Sequence, residues 1–156
     1  MRNLLTIFTD GGASNNPGPA AIGVIVKLKI KNEKARKAGF LRNVKIYEEK
    51  TIHKFGRPIG YATNNVAEYT AVIEALNWLV ASGKWRVAKI KFYLDSKLVV
   101  NQLNGVFKIK NYQLRNLAIK IRQLEQEAGG CFRYQYIPRE KNQEADALVK
   151  KALVQS

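Results

Sequence analysis

NLLTIFTDGGASNNPGPAAIG, residues 3 to 23, decides the fold. Leu4, Leu5, Ile7 and Phe8, interleaved with two threonines, form a short apolar run rich in β-branched and aromatic residues, which reads as a largely buried strand over residues 3 to 9. Asp10-Gly11-Gly12 and the turn-rich stretch Ser14 to Pro19 are expected to end it. A second extended segment from Ala20 to Ile30 follows at once. Two strands joined by so short a connection pair antiparallel, so the chain opens with an antiparallel ladder and a carboxylate, Asp10, at its bend.

Working outward, the run from Lys31 to Gly39 loses its apolar pattern, and Val44 to Tyr47 and Lys50 to Phe55 regain it, which predicts a long hairpin with a basic tip. The period then changes. Ala67, Ala71, Val72, Ala75, Leu76, Leu79 and Val80 fall at helical spacing from Asn65, and Ser82-Gly83 closes that helix. Ala88 to Leu94 is a strand ending at Asp95, and Ser96 caps a short helix to about Leu103. A longer helix runs from Tyr112 to Ala128, a last strand from Phe132 to Ile137, and Asn142 caps a final helix. The order β-β-β-α-β-α-α-β-α specifies an α/β fold, a mixed sheet with helices packed on it.

The 156 residues, 46% of them hydrophobic, suit one domain with a single core. Cys131 is the only cysteine, which excludes an internal disulfide and fits a reducing cytosol. The N-terminal apolar run stops at Asp10, too early for a signal peptide or a membrane span. Lys and Arg outnumber Asp and Glu by 27 to 12, a formal net charge of +15, which favours a polyanionic partner and nucleic acid first. The alternative is a charge that serves solubility alone.

The acids themselves are sharper evidence. Only three aspartates occur, Asp10, Asp95 and Asp146, each at the end of an expected strand or in the first turn of an expected helix. If the strands ending at Asp10 and Asp95 lie side by side and parallel, both carboxylates reach one sheet edge, where α/β sheets bind ligands. Glu68 shares its helix face with Ala71, Val72 and Ala75, and Asp146 adjoins Val149 and Leu153, so both are expected to turn inward. Four inward carboxylates stay ionised together only around a cation. Oxygen ligands without His or Cys select Mg²⁺ or Mn²⁺, and two such ions suit phosphodiester hydrolysis. The competing reading makes each acid an ordinary helix cap or a partner of the helix dipole.

Residues 9 to 23, TDGGASNNPGPAAIG, resemble the opening motif of type I ribonucleases H. Three further segments agree in the family's order: TNNVAEY at residues 63 to 69, Asp95-Ser96 with Leu98-Val99, and REKNQEADAL at residues 139 to 148. The resemblance implies the ribonuclease H-like fold, a five-stranded mixed sheet in the order 3-2-1-4-5 flanked by helices. It implies a nuclease that cuts the RNA strand of an RNA/DNA hybrid to 5′-phosphate and 3′-hydroxyl ends. Asp10 would bridge two metal ions, with Glu68, Asp95 and Asp146 completing the ligand set. By the same match Gly11, Asn16, Asn64 and Asn65 would contact the hybrid, and Thr63 and Asn101 the phosphates of the DNA strand. Asparagine is also a default turn residue, which is the plainer reading of those amides. The family expectation is a cytoplasmic monomer, and the initial Met suits a complete chain.

Two departures from the family stand out. Many bacterial relatives carry a histidine in the loop before the last helix, where this chain has Arg139. Arginine stays protonated, so it cannot act as a general base but can stabilise phosphate charge or help eject the cleaved product; the alternative is a solvated surface arginine. The only histidine, His53, lies far from every motif and reads as a structural or surface residue. The basic handle of some relatives is absent after Leu103, whereas residues 27 to 57 hold 11 basic and 3 acidic residues, a net +8. That hairpin is either a substitute duplex-binding arm or a merely solvated one. The rival functions are a non-catalytic hybrid- or double-stranded-RNA-binding module, a DNA-cutting relative of the integrase and transposase group, and a reverse transcriptase fragment. Retention of all four acids argues against the first, and Asn64-Asn65 with the glycine-rich opening against the second.

Overall fold

The computed structural model describes residues 3–31 and 47–155. Its five strands are β1 (Leu4–Ala13), β2 (Gly18–Lys31), β3 (Tyr47–Ala62), β4 (Lys89–Leu94) and β5 (Cys131–Tyr136). The helices are α1 (Asn64–Ser82), α2 (Lys97–Leu103), α3 (Tyr112–Ala128) and α4 (Gln143–Gln155), with a 3₁₀ turn at Arg139–Lys141. The sheet order is β3-β2-β1-β4-β5, as expected, antiparallel from β3 to β1 and parallel from β1 to β5. Residues 32–46, on which most of the expected basic tip from Lys31 to Gly39 falls together with the expected extended stretch from Val44, lie outside the described residues.

The structure departs from the sequence expectation at two strands. Asp10-Gly11-Gly12 does not end β1. The strand continues to Ala13 because β2 keeps pairing with it, Asp10 opposite Gly23 and Ala13 opposite Ala20, while β4 pairs only as far as Phe8. The third strand, expected to run only to Phe55, is one long element that continues through Gly56, Pro58 and Gly60. It tolerates Pro58 because it is the edge strand, and its register against β2 shifts twice, near Ala20 and near Val26.

The main core lies between one face of the sheet and α1 with α3. Leu5, Ile7, Ile90 and Phe92 from the sheet meet Val72, Leu76 and Ile121 from the helices, all essentially sealed from solvent. His53 stacks on Trp78 at 5.0 Å between ring centres, a contact between β3 and α1. The helices start where short polar side chains occupy free backbone N–H groups: Thr63 Oγ1 accepts from Val66 N, Ser96 Oγ from Val99 N and Asn111 Oδ1 from Leu114 N. Each such cap contributes about 1 kcal/mol. α1 ends at Gly83 and α3 at Gly129, both left-handed.

The opposite face carries α4, which rests on β2 and β3. A Cβ on Gly23 would come within 2.4 Å of the Ala145 carbonyl oxygen, and one on Gly56 within 2.8 Å of that of Leu148. The two glycines therefore set how closely α4 approaches the sheet, with Ala21, Val149 and Ala152 forming a small second core beneath it. Among the described residues, no helix is long and apolar enough to cross a membrane.

Candidate active site

Glycine packing also brings the acids together. Gly11 sits directly beneath the first turn of α1, where a Cβ would fall 2.3 Å from the Ala67 carbonyl carbon and oxygen. Backbone contact this close leaves the next residue, Glu68, beside Asp10. Asp95 follows the last residue of β4, and one carboxylate oxygen from each of Asp10, Glu68 and Asp95 lies within 4.8 Å of the other two. Asp10 and Glu68 are buried, at 7% and 6% exposure, and Asp95 is half-buried.

Burial and mutual repulsion set the protonation. Asp10 is pushed up to about 7, first by desolvation and then by the charge of Asp95. Glu68 is raised well above the usual carboxylate range by desolvation and then by Asp10. The hydrogen bond between these two carboxyls lowers Asp10 and raises Glu68. Asp95 is raised by burial, against the opposing pull of the Asn142 amide and the Arg139 charge. Glu68 Oε2 is sealed from solvent with no hydrogen-bond partner. A buried acceptor of this kind is costly unless something else satisfies it.

Asp146 stands apart from the three. Its side chain is 28% exposed and pairs with Lys150 Nζ at 2.9 Å, one helical turn on. The expected inward turn is therefore only partial, because the i,i+4 lysine offers a closer partner than the cluster does. Its charge still raises both Asp10 and Asp95. Arg139 is exposed, in the 3₁₀ turn, near enough to lower Asp95.

The amides flank this cluster. Asn64 Oδ1 accepts from Ala13 N at 2.8 Å, and Asn16 Oδ1 accepts from Asn64 N at 3.0 Å, so both side-chain oxygens staple the β1–β2 loop to the start of α1. Turn chemistry thus uses the oxygens and leaves both NH₂ groups, on exposed residues, as donors. Asn65 and Asn101 are half-buried, and the Thr63 hydroxyl is engaged as the α1 cap. Gly11 is buried beneath Ala67, and its backbone N–H lowers Asp10 and Glu68.

Asn142 has a different place from the one expected. It is 1% exposed, and its amide nitrogen donates to the Thr9 carbonyl at 2.9 Å and to Asp95 Oδ2 at 3.2 Å. Its Oδ1 has no hydrogen-bond partner, so the side chain does not cap α4. It ties Asp95 to β1 instead. An asparagine before an apolar helix reads first as a cap, and nothing local in the sequence signals a bond to residues so distant.

Residues 8–152 match the family described as reverse transcriptase-like. The chain is 38% identical to a ribonuclease H1 named LC11, solved in complex with an RNA/DNA hybrid, with a TM-score of 0.79 over 97% of each chain. It is 30% identical to ribonuclease H1 of the archaeon Halobacterium salinarum, with a TM-score of 0.76 over 98% of this chain and 99% of that one. A bifunctional protein of Mycobacterium tuberculosis is 34% identical over 96% of this chain, which spans only 35% of that protein's length.

Proposed function

The chain belongs to the type 1 ribonuclease H family, and on that premise we propose that it hydrolyses the RNA strand of RNA/DNA hybrids, leaving 5′-phosphate and 3′-hydroxyl ends. The observation that carries this reading is the trio Asp10, Glu68 and Asp95, two buried and one half-buried, converging within 4.8 Å in a chain of net charge +15. A module that only bound nucleic acid would gain nothing from three desolvated acids facing a polyanion.

The donor set fits a hard divalent cation. Three carboxylates with raised proton affinity, one with an unpartnered oxygen, lose their mutual repulsion when a cation replaces the protons. Asp10, Glu68 and Asp95 would hold Mg²⁺, with Mn²⁺ as a substitute, and Asp146 would join them on release from Lys150. A pair of such ions supplies an activated water and charge stabilisation at the leaving oxygen.

The protein's own groups do the rest. The Asn16 and Asn64 amides donate in the minor groove, where a 2′-hydroxyl distinguishes RNA from DNA, and Asn65 completes that contact. Gly11 brings α1 against β1 and so keeps the acids together beside the substrate. Thr63 and Asn101 bind phosphates of the DNA strand. Arg139 stabilises phosphate charge near Asp95 and cannot accept a proton. The basic hairpin around residues 27–57 adds affinity for the duplex. We propose that the chain acts as a single domain and a monomer, in the cytoplasm.

The test offers three end-labelled substrates, an RNA/DNA hybrid, a DNA duplex and an RNA duplex, each with Mg²⁺, Mn²⁺ or chelator. Loss of the hybrid's RNA strand alone, and only with metal, is expected. Binding without cleavage under every condition defeats the reading.

A further inference from the structure

Away from α4, the second face of the sheet is left uncovered toward β4 and β5 among the described residues, with Lys89, Cys131 and Arg133 exposed there. Its residues fall into transverse rows set by strand register. One row runs Lys27, Thr6, Lys91, Arg133 across β2, β1, β4 and β5. Lys27 is neutralised by Glu144 at 3.1 Å, but among the described residues Lys91 and Arg133 have no acidic partner. They stand directly opposite each other, and like charges so placed are destabilising. An anion lying across them removes that cost.

The neighbouring rows extend the pattern. Lys89 is exposed at the next outward position of β4, and Lys29, Lys89, Lys91, Tyr93 and Arg133 border a cavity of about 260 Å³. In the other direction Phe8 and Tyr93 stack at 5.1 Å between ring centres, with the Lys91 ammonium 5.4 Å from the Tyr93 ring. Both rings are only half-buried. Cations beside partly open aromatic rings on a sheet face are the chemistry that holds unpaired bases and their phosphates, whereas a duplex hides its base faces. Phe8 and Tyr93 each precede a carboxylate, Asp10 and Asp95, by two residues, so this band leads up to the acidic cluster from the side away from Asn64.

We infer that the open face around Lys89, Lys91, Tyr93 and Arg133 is a second nucleic-acid surface, which binds a single strand. This site does not draw on the carboxylates and requires no cleavage.

The test measures anisotropy of a fluorescein-labelled 20-mer oligothymidylate with the full chain in chelator. The variant Lys89→Glu/Lys91→Glu/Arg133→Glu is compared with Lys84→Glu/Arg115→Glu/Lys120→Glu, which has the same net charge and changes exposed residues elsewhere. The first should bind about tenfold more weakly, with a salt slope smaller by about 2, and the second should stay within about threefold of the parent. A loss in the first no greater than in the second overturns the proposal. The unmodified chain gives an independent measure, because Cys131, its only cysteine, is exposed and lies opposite Lys89. Saturating oligothymidylate should slow the reaction of Cys131 with a disulfide reagent. Equal protection by polyglutamate, or none by the oligonucleotide, also overturns it.

Discussion

Gly11 and Ala67 touch through their backbones: a Cβ on Gly11 would meet the Ala67 carbonyl at 2.3 Å. Backbone atoms cannot swing aside as a side chain can, so Gly11→Ala must push α1 off β1. Overpacking of this kind costs about 1–3 kcal/mol. Chemical denaturation should show that loss, and hybrid cleavage should fall by more than the loss of folded protein explains, because Glu68 moves with α1.

The acids make the metal-free protein sensitive to pH. Burial pushes the Asp10 carboxyl up to about 7 in the folded chain from an ordinary 3.8, so between those values the folded state holds more protons than the unfolded one. Stability must then fall as pH rises through that window. Glu68 and Asp95 shift in the same direction. In chelator, Asp10→Asn should raise the melting temperature at pH 7.5 and leave it nearly unchanged at pH 4, while Mg²⁺ should stabilise the parent more than the variant. Equal melting of the two proteins at both pH values would contradict the burial argument.

Asn142 holds Asp95 through a bond of 3.2 Å. Its truncation in Asn142→Ala removes two hydrogen bonds at a cost of about 1–3 kcal/mol, and leaves Asp95 free to turn. Cleavage should drop about tenfold, and more Mg²⁺ should restore part of it, since a loosened ligand weakens metal binding before anything else. A purely structural role predicts lower stability with the same Mg²⁺ requirement.

Arg139 separates two readings cleanly. If its charge acts on the phosphate, Arg139→Ala should lower kcat severalfold at saturating substrate and Arg139→Lys should retain much of it. A solvated surface arginine leaves all three proteins alike.

Most of the fold was legible because hydrophobic period and caps agree. The α3 bounds, the Ser96 cap and the Gly83 stop follow from residues close in sequence. The misreadings arise where tertiary packing overrides local signals. Gly11 and Gly12 look like a turn but are strand residues, Gly11 lying beneath α1, and Gly56 and Pro58, past the expected end of the third strand, continue it as an edge strand under α4. The site shows the same division. Asp10, Glu68 and Asp95 were findable as carboxylates in a chain that has few of them, whereas the pairing of Asp146 with Lys150 and the link from Asn142 to Thr9 and Asp95 exist only once α4 has docked.

The most direct test of the central claim follows the RNA strand of a labelled hybrid under single turnover, for the parent and Glu68→Gln, with Mg²⁺ and with chelator. Mg²⁺-dependent RNA cleavage by the parent is expected, with a loss of at least about 100-fold in Glu68→Gln and hybrid binding retained. Cleavage that persists in chelator, or in Glu68→Gln at the parent's rate, would contradict it.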